Sequence, residues 1–319
     1  MRKPSAMFIA LVATWLVAIG LLSGCASDQG ESDAASRLSC FVSVLPQAYF
    51  VERIGDGFVD VRVFVGPGQS PATYEPTPRQ LARLGDSRLY FAIGMPFEDR
   101  ILPRMRTGFP LLQIVETQTG VPYRLQQHRR TSVSDDTLHR GASSAGFAST
   151  HDHRGSVRDP HVWLDPRLAK TIADNIRAAL IHVDPSHAMY YERNYRTLVA
   201  DLEELDQEIS GILSSVRGSE FLVFHPAFGY FADAYGLTQV SIETGGVSAG
   251  TGHLARTIDR AIAGGITAIF VQPQFSQTAA QTIADEMGIQ LVMLDPLAPD
   301  YMDNLRRMAA KIQAAIEVQ

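Results

Sequence analysis

The chain has 319 residues, enough for two domains or one large one, with 45% hydrophobic and 19% charged residues and a formal net charge of −6. That balance excludes wholesale disorder, collagen and coiled coil, and the absence of a basic surplus or stripe argues against a nucleic-acid partner. Two cysteines cannot build a disulfide scaffold, and a single long apolar run cannot make a polytopic membrane protein.

That run opens the chain. Arg2 and Lys3 precede residues 6–22, which carry no charge, and Leu22-Ser23-Gly24-Cys25 follows. A basic start, a short apolar stretch and small residues before a cut read as a secretory signal over residues 1–24. The four-residue end resembles the lipobox of bacterial lipoproteins, in which the cysteine is acylated. Cys25 is therefore expected to carry lipid into a bilayer, with residues 25–37 as a tether, and the protein to face the periplasm or the cell exterior. A single transmembrane anchor is the alternative. Removing residues 1–24 removes two basic residues and no acid, which leaves 26 basic and 34 acidic residues, net −8. Cys40 then remains as the one thiol, in an apolar alternation that suits a small buried hydrophobe.

In chain order, apolar runs predict strands over 38–45, 59–65, 88–93 and 111–115, with helices over 78–84 and 97–106. Residues 126–157 break the pattern. They are polar and hold His128, His139, His151 and His153, four of the nine histidines. Such a stretch is a solvated insertion or a functional loop, and His151-Asp152-His153 suggests weak metal capture. Residues 185–216 have no internal proline, and Leu198, Leu202, Leu205, Ile209, Ile212 and Leu213 recur at helical spacing. Thirty-two helical residues would reach roughly 48 Å, longer than one small lobe. Strands follow over 221–224, 239–243, 266–272 and 289–294, with helices over 252–263, 277–287 and 301–316. The alternation predicts an α/β protein with parallel sheets covered by helices, its strands in two groups of four.

Gly246-Val247-Ser248-Ala249-Gly250 matches a nucleophile elbow, but an α/β-hydrolase needs an acid and then a histidine downstream, and the single later histidine is His253. A serine hydrolase is excluded on that order. More informative are polar residues at strand ends. His225 follows strand 221–224, Asp295 follows strand 289–294, and His161 lies just before a predicted helix. Ligands of open α/β sheets bind outside the carboxyl ends of strands. Two imidazoles and a carboxylate suit Zn²⁺, with Mn²⁺ or Fe²⁺ as alternatives. Singly, each residue has a bland reading as a helix cap or a satisfied histidine.

Residues 66–80 (GPGQSPATYEPTPRQ), 159–166 (DPHVWLDP), 225–237 (HPAFGYFADAYGL) and 269–276 with 294–297 (IFVQPQFS and LDPL) occur together and in order. On these segments the chain resembles the cluster A-I (cluster 9) solute-binding proteins of bacterial zinc and manganese ABC transporters, from about Leu38 to its end. The resemblance implies two (β/α)₄ lobes joined by one long rigid helix, with one metal ion in the cleft between them. The expected division is an N-terminal lobe over 38–184, a linking helix over 185–217 and a C-terminal lobe over 218–319. The resemblance further implies a monomer that is not an enzyme and that delivers a divalent ion, zinc first, to an ABC transporter permease.

Carried onto this chain, the family's metal ligands are His161, His225 and Asp295. Its first histidine falls on Ala72, which has no donor atom. An open three-ligand site is expected, with Gln69, Ser70, Glu75, His151 and His153 as substitutes to be weighed. Two other readings stand beside this one: a family-fold lipoprotein that has lost metal and binds another partner or an adhesion target, and a metallohydrolase with Glu75 or Glu243 as general base.

Overall fold

The computed structural model describes residues 37–125, 158–243 and 251–318. The expected signal segment, Cys25, the histidines of the 126–157 insertion and Ser248 lie outside them. Leu38–Gln319 forms one compact unit.

The first sheet holds β1 (Leu38–Val44), β2 (Val59–Val65), β3 (Leu89–Ala92) and β4 (Gln113–Glu116) in the order β2-β1-β3-β4. The second holds β5 (Glu220–Val223), β6 (Thr238–Ser241), β7 (Ala268–Val271) and β8 (Gln290–Met293) in the order β6-β5-β7-β8. Every pairing is parallel. Parallel neighbours require crossovers, and helices supply them. In the first half these are α1 (Leu45–Gly55), α2 (Pro78–Gly85) and α3 (Pro96–Gly108), and α4 (Pro166–Val183) follows the last strand. In the second they are α6 (Gly229–Tyr235), α7 (Thr251–Ala263) and α8 (Gln277–Met287), and α9 (Tyr301–Glu317) follows the last strand.

Local chemistry starts the helices that frame the cleft. Thr77 caps α2 with a reciprocal bond to Gln80, and Pro78 takes the first turn, where its missing N–H costs nothing. Asp165 caps α4 by accepting from the N–H of Arg167 at 2.9 Å, again with a proline next. The Asp-Pro pair that ends the 159–166 motif is therefore a helix start.

The linking helix α5 spans Ala188–Ile212, with single 3₁₀ turns before it at Pro185–His187 and after it at Leu213–Val216. The continuous α-helix is thus 25 residues, about 38 Å. Pro185 has no N–H for a ladder, and the last turn tightens before the chain enters β5. Tyr191, Leu198, Leu202, Leu205 and Ile209 form its buried face.

One apolar cluster runs from the first sheet across α5 into one face of the second sheet, where Phe221, Val223, Ala268 and Phe270 join it. The alternate residues Leu222, Ile269 and Val271 face a second cluster under α7 and α8. This is the period-two alternation of strands buried on both faces. The sequence reading missed α1, because its apolar residues continue directly from β1. Among the described residues no helix is long and apolar enough to cross a membrane.

Candidate metal centre

Strand ends build the site. Loops after β2, β3, β5, β7 and β8 converge with the segment before α4 on a cavity of about 260 Å³ between the sheets. Its lining includes Ala72, Met95, His161, His225, Gln274 and Leu297.

His161 and His225 face each other with ring centroids 5.9 Å apart and planes inclined by 75°. Each ring is oriented by a carboxylate. His161 Nδ1 lies 2.8 Å from Oδ1 of Asp159, which also accepts from the His161 backbone N–H at 3.1 Å. His225 Nδ1 lies 2.9 Å from Oε2 of Glu243, and Phe275 stacks on the ring at 4.4 Å. Each carboxylate accepts from Nδ1–H, and in a neutral ring that tautomer leaves the lone pair on Nε2. No hydrogen bond among the described residues uses either Nε2. Burial pushes the His225 imidazole below its usual pKa, against the opposing pull of Glu243. A lowered value keeps the ring neutral and able to donate to a cation.

Asp295 stands two residues beyond β8. Its Oδ1 accepts from the N–H of Leu297 at 2.9 Å and from Gln274 Nε2 at 2.8 Å. Its backbone carbonyl accepts from Asn304 at 2.7 Å. The structure therefore brings the two imidazoles together and leaves Asp295 engaged with its own loop, with Gln274 of the loop after β7 and with Asn304; among the described residues no three His, Cys, Asp or Glu side chains form a metal-sized group. Ala72 lines the cavity, as does Ser70. Glu75 is exposed and not among the cavity lining. Gln69 is turned onto the backbone N–H of Gly66 at 2.8 Å. His151 and His153 lie outside the described residues. Sequence reasoning missed Asp159 as the partner of His161, although its place two residues earlier was a signal, and gave Glu243 a different role.

Buried polar groups hold one of the loops that line the cavity. Glu98 accepts from the backbone N–H of Ile93 at 3.0 Å and of Gly94 at 2.7 Å, and from the hydroxyl of Ser43. It thereby fixes the loop that presents Met95 and Pro96. Burial raises its carboxyl to about 7, while those donors pull it down.

The family of zinc-uptake complex component A, periplasmic (ZnuA), matches residues 40–315. The chain is 27% identical over 301 residues to the high-affinity zinc uptake system protein ZnuA of Bacillus subtilis, covering 93% of this chain and 89% of that protein. It is 26% identical over 302 residues to the zinc-binding lipoprotein AdcA of Streptococcus pneumoniae, of which it spans 56%. Among solved structures, a crystal structure of ZnuA superposes with a TM-score of 0.76 at 34% identity, covering 88% of this chain and 99% of that one. A ZnuA deletion mutant with zinc bound gives the same TM-score and identity.

Proposed function

The chain belongs to the family of periplasmic zinc-uptake components (ZnuA), and from that premise we propose that it captures a divalent transition metal outside the cytoplasm and delivers it to an ABC importer. Zinc is the proposed cargo, with Mn²⁺ or Fe²⁺ as alternatives. The observation that carries this reading is the pair of facing imidazoles, one from each lobe, whose Nδ1 atoms are taken by Asp159 and Glu243 and whose Nε2 atoms are thereby left for a cation. Carboxylate-oriented histidines are what zinc sites use to fix ligand direction.

The proposed ligands are His161, His225 and Asp295, with the last swinging its Oδ2 toward the ion. With Ala72 at the family's first position, the fourth place is open to water, and the site is a three-ligand one. A bound ion here is cargo, not a catalyst. The proposed permease partner would meet the protein at the membrane, to which acylated Cys25 holds a monomer after cleavage of residues 1–24. In a Cys25→Ser variant the protein should leave the membrane fraction or stay uncut; unchanged attachment and size would favour a transmembrane anchor.

Metal analysis of protein purified without added metal, followed by titration against a chelator, tests the capture step. Saturable zinc binding that is lost in both His161→Ala and His225→Ala is expected. A second reading, a family-fold protein that has given up metal for another partner, draws on Ala72 and on the engaged Asp295. Zinc binding untouched by both histidine variants, or absent from the unaltered protein, would favour it.

A further inference from the structure

His161 and His225 stand on opposite sides of the cleft, so an ion held by both is bound only while the lobes are closed on each other. A contact that closes the lobes elsewhere therefore adds to affinity, since affinity scales with the fraction of molecules in the binding arrangement.

One such contact reaches back to a metal-binding imidazole. Asp159 divides its carboxylate: Oδ1 serves His161, whereas Oδ2 is buried without a hydrogen bond and lies 3.5 Å from an Nη atom of Arg124. The same guanidinium donates from Nε to Oδ2 of Asp233 at 2.8 Å, in α6 of the other lobe. Both ends are anchored. The N–H of Asp159 donates to the carbonyl of Arg124 at 2.9 Å, and the N–H of Arg124 donates to the Tyr230 hydroxyl at 2.9 Å. A Cβ at Gly229 would overlap the Arg124 guanidinium, so the glycine leaves the passage through which the side chain crosses.

The charges explain the arrangement. Asp159 is fully buried, and an uncompensated buried carboxylate is costly. Arg124 supplies the countercharge, but shares it with Asp233, whose side chain is 62% exposed. An ion on Nε2 of His161 draws electron density from the ring and strengthens its bond to Asp159. The buried carboxylate thus stands between the ligand and the lobe contact.

We propose that Arg124 is a positioning residue: through Asp159 and Asp233 it ties His161 to the C-terminal lobe, and this latch slows release of the captured ion. The inference rests on the metal-capture reading above.

Zinc-loaded unaltered protein, Asp233→Asn, Asp233→Glu and Gly229→Ala are mixed with excess chelator and release is followed by stopped flow. Hydrogen exchange across Tyr123–Leu125 is measured in the metal-free proteins. Release about threefold faster in Asp233→Asn is expected, in keeping with a partly exposed pair, and about tenfold faster in Gly229→Ala. Association and the metal-free melting temperature of Asp233→Asn should be unchanged, and Asp233→Glu should restore slow release. Exchange should rise in both Asp233→Asn and Gly229→Ala. Release equal to the unaltered protein in both variants overturns the latch. So does an equal loss of melting temperature with and without zinc in Asp233→Asn, which marks a merely structural pair. If the unaltered protein takes up no zinc, the capture reading fails, and unchanged exchange in both variants then overturns the latch on its own.

Discussion

The indole Nε1 of Trp163 donates to the backbone carbonyl of Pro296 at 2.8 Å, across the cleft. Trp163 lies two residues after His161, and Pro296 directly follows Asp295. The carbonyl of Trp163 in turn accepts from the Tyr301 hydroxyl at 2.6 Å. Two segments that carry proposed ligands are thus joined to each other before any ion arrives. Trp163→Phe keeps most of the ring and strands the Pro296 carbonyl. It should lower stability by about 1–3 kcal/mol in urea titrations and weaken zinc binding, because the lobes lose a shared bond. Unchanged zinc affinity in a folded Trp163→Phe protein would separate the clasp from the metal site.

Position 72 offers a gain of function. Ala72 lines the cavity that both imidazoles face. Ala72→His should add a third imidazole and tighten zinc about tenfold, roughly 1.4 kcal/mol, in chelator competition. Replacing both His151 and His153 with alanine should leave affinity as it was. The reverse pattern would mean that a histidine of the 126–157 insertion already fills the place.

Glu243 tests whether ring orientation matters. Glu243→Gln can still accept from His225 Nδ1, but without charge, so zinc affinity should fall between about tenfold and a hundredfold with little change in fold. An affinity within twofold of the unaltered protein would show that burial and Phe275 alone hold the ring.

Glu98 makes stability depend on pH. Its folded carboxyl titrates at about 7 because of burial, against an ordinary value near 4.5. The folded state therefore binds the proton more tightly, and this contribution is fully present below about 4.5 and is lost as pH rises through 7. His225 acts in the opposite sense: its lowered value makes the metal-free fold lose stability as pH falls below 6.5. Urea titrations from pH 8 to 5 should show a Glu98→Gln variant without the first effect and a His225→Gln variant without the second. Parallel curves for Glu98→Gln and the unaltered protein would contradict the assignment.

Leu125 and Arg158 pair as an antiparallel bridge, so the ends of the 126–157 stretch already meet. Deleting residues 127–154 should shift the melting temperature by no more than a few degrees, since the closure is made by residues that remain. A large drop would show that the deleted stretch packs on the core.

Most of the frame was legible in the residues themselves. The eight strands sit within a residue or two of their apolar runs, because strands buried on both faces read as continuous hydrophobic stretches. His161, His225 and Asp295 were legible as polar residues at strand ends or helix starts. Asp159, two residues before its partner His161, carried a local signal, but the more distant pairs did not. Glu243 reaches His225 across 18 positions of chain, and Arg124 meets Asp233 across 109. Such pairs depend on the loops' final course, which no local pattern encodes. The engagement of Asp295 by Gln274 was hidden for the same reason.

The apolar cluster that passes through α5 has a consequence for how the molecule comes apart. Because both sheets share it, neither half can shed its neighbour without exposing that shared interior, and global unfolding should be a single cooperative event. The second cluster belongs to one side of the second sheet alone. The layer formed there by α7, α8 and the outer face of β5 and β7 is the piece that can loosen by itself. Loosening of that layer would reach the cleft, because Phe275, which stacks on His225, packs against the second cluster, whereas a break in α5 would leave no independently foldable half.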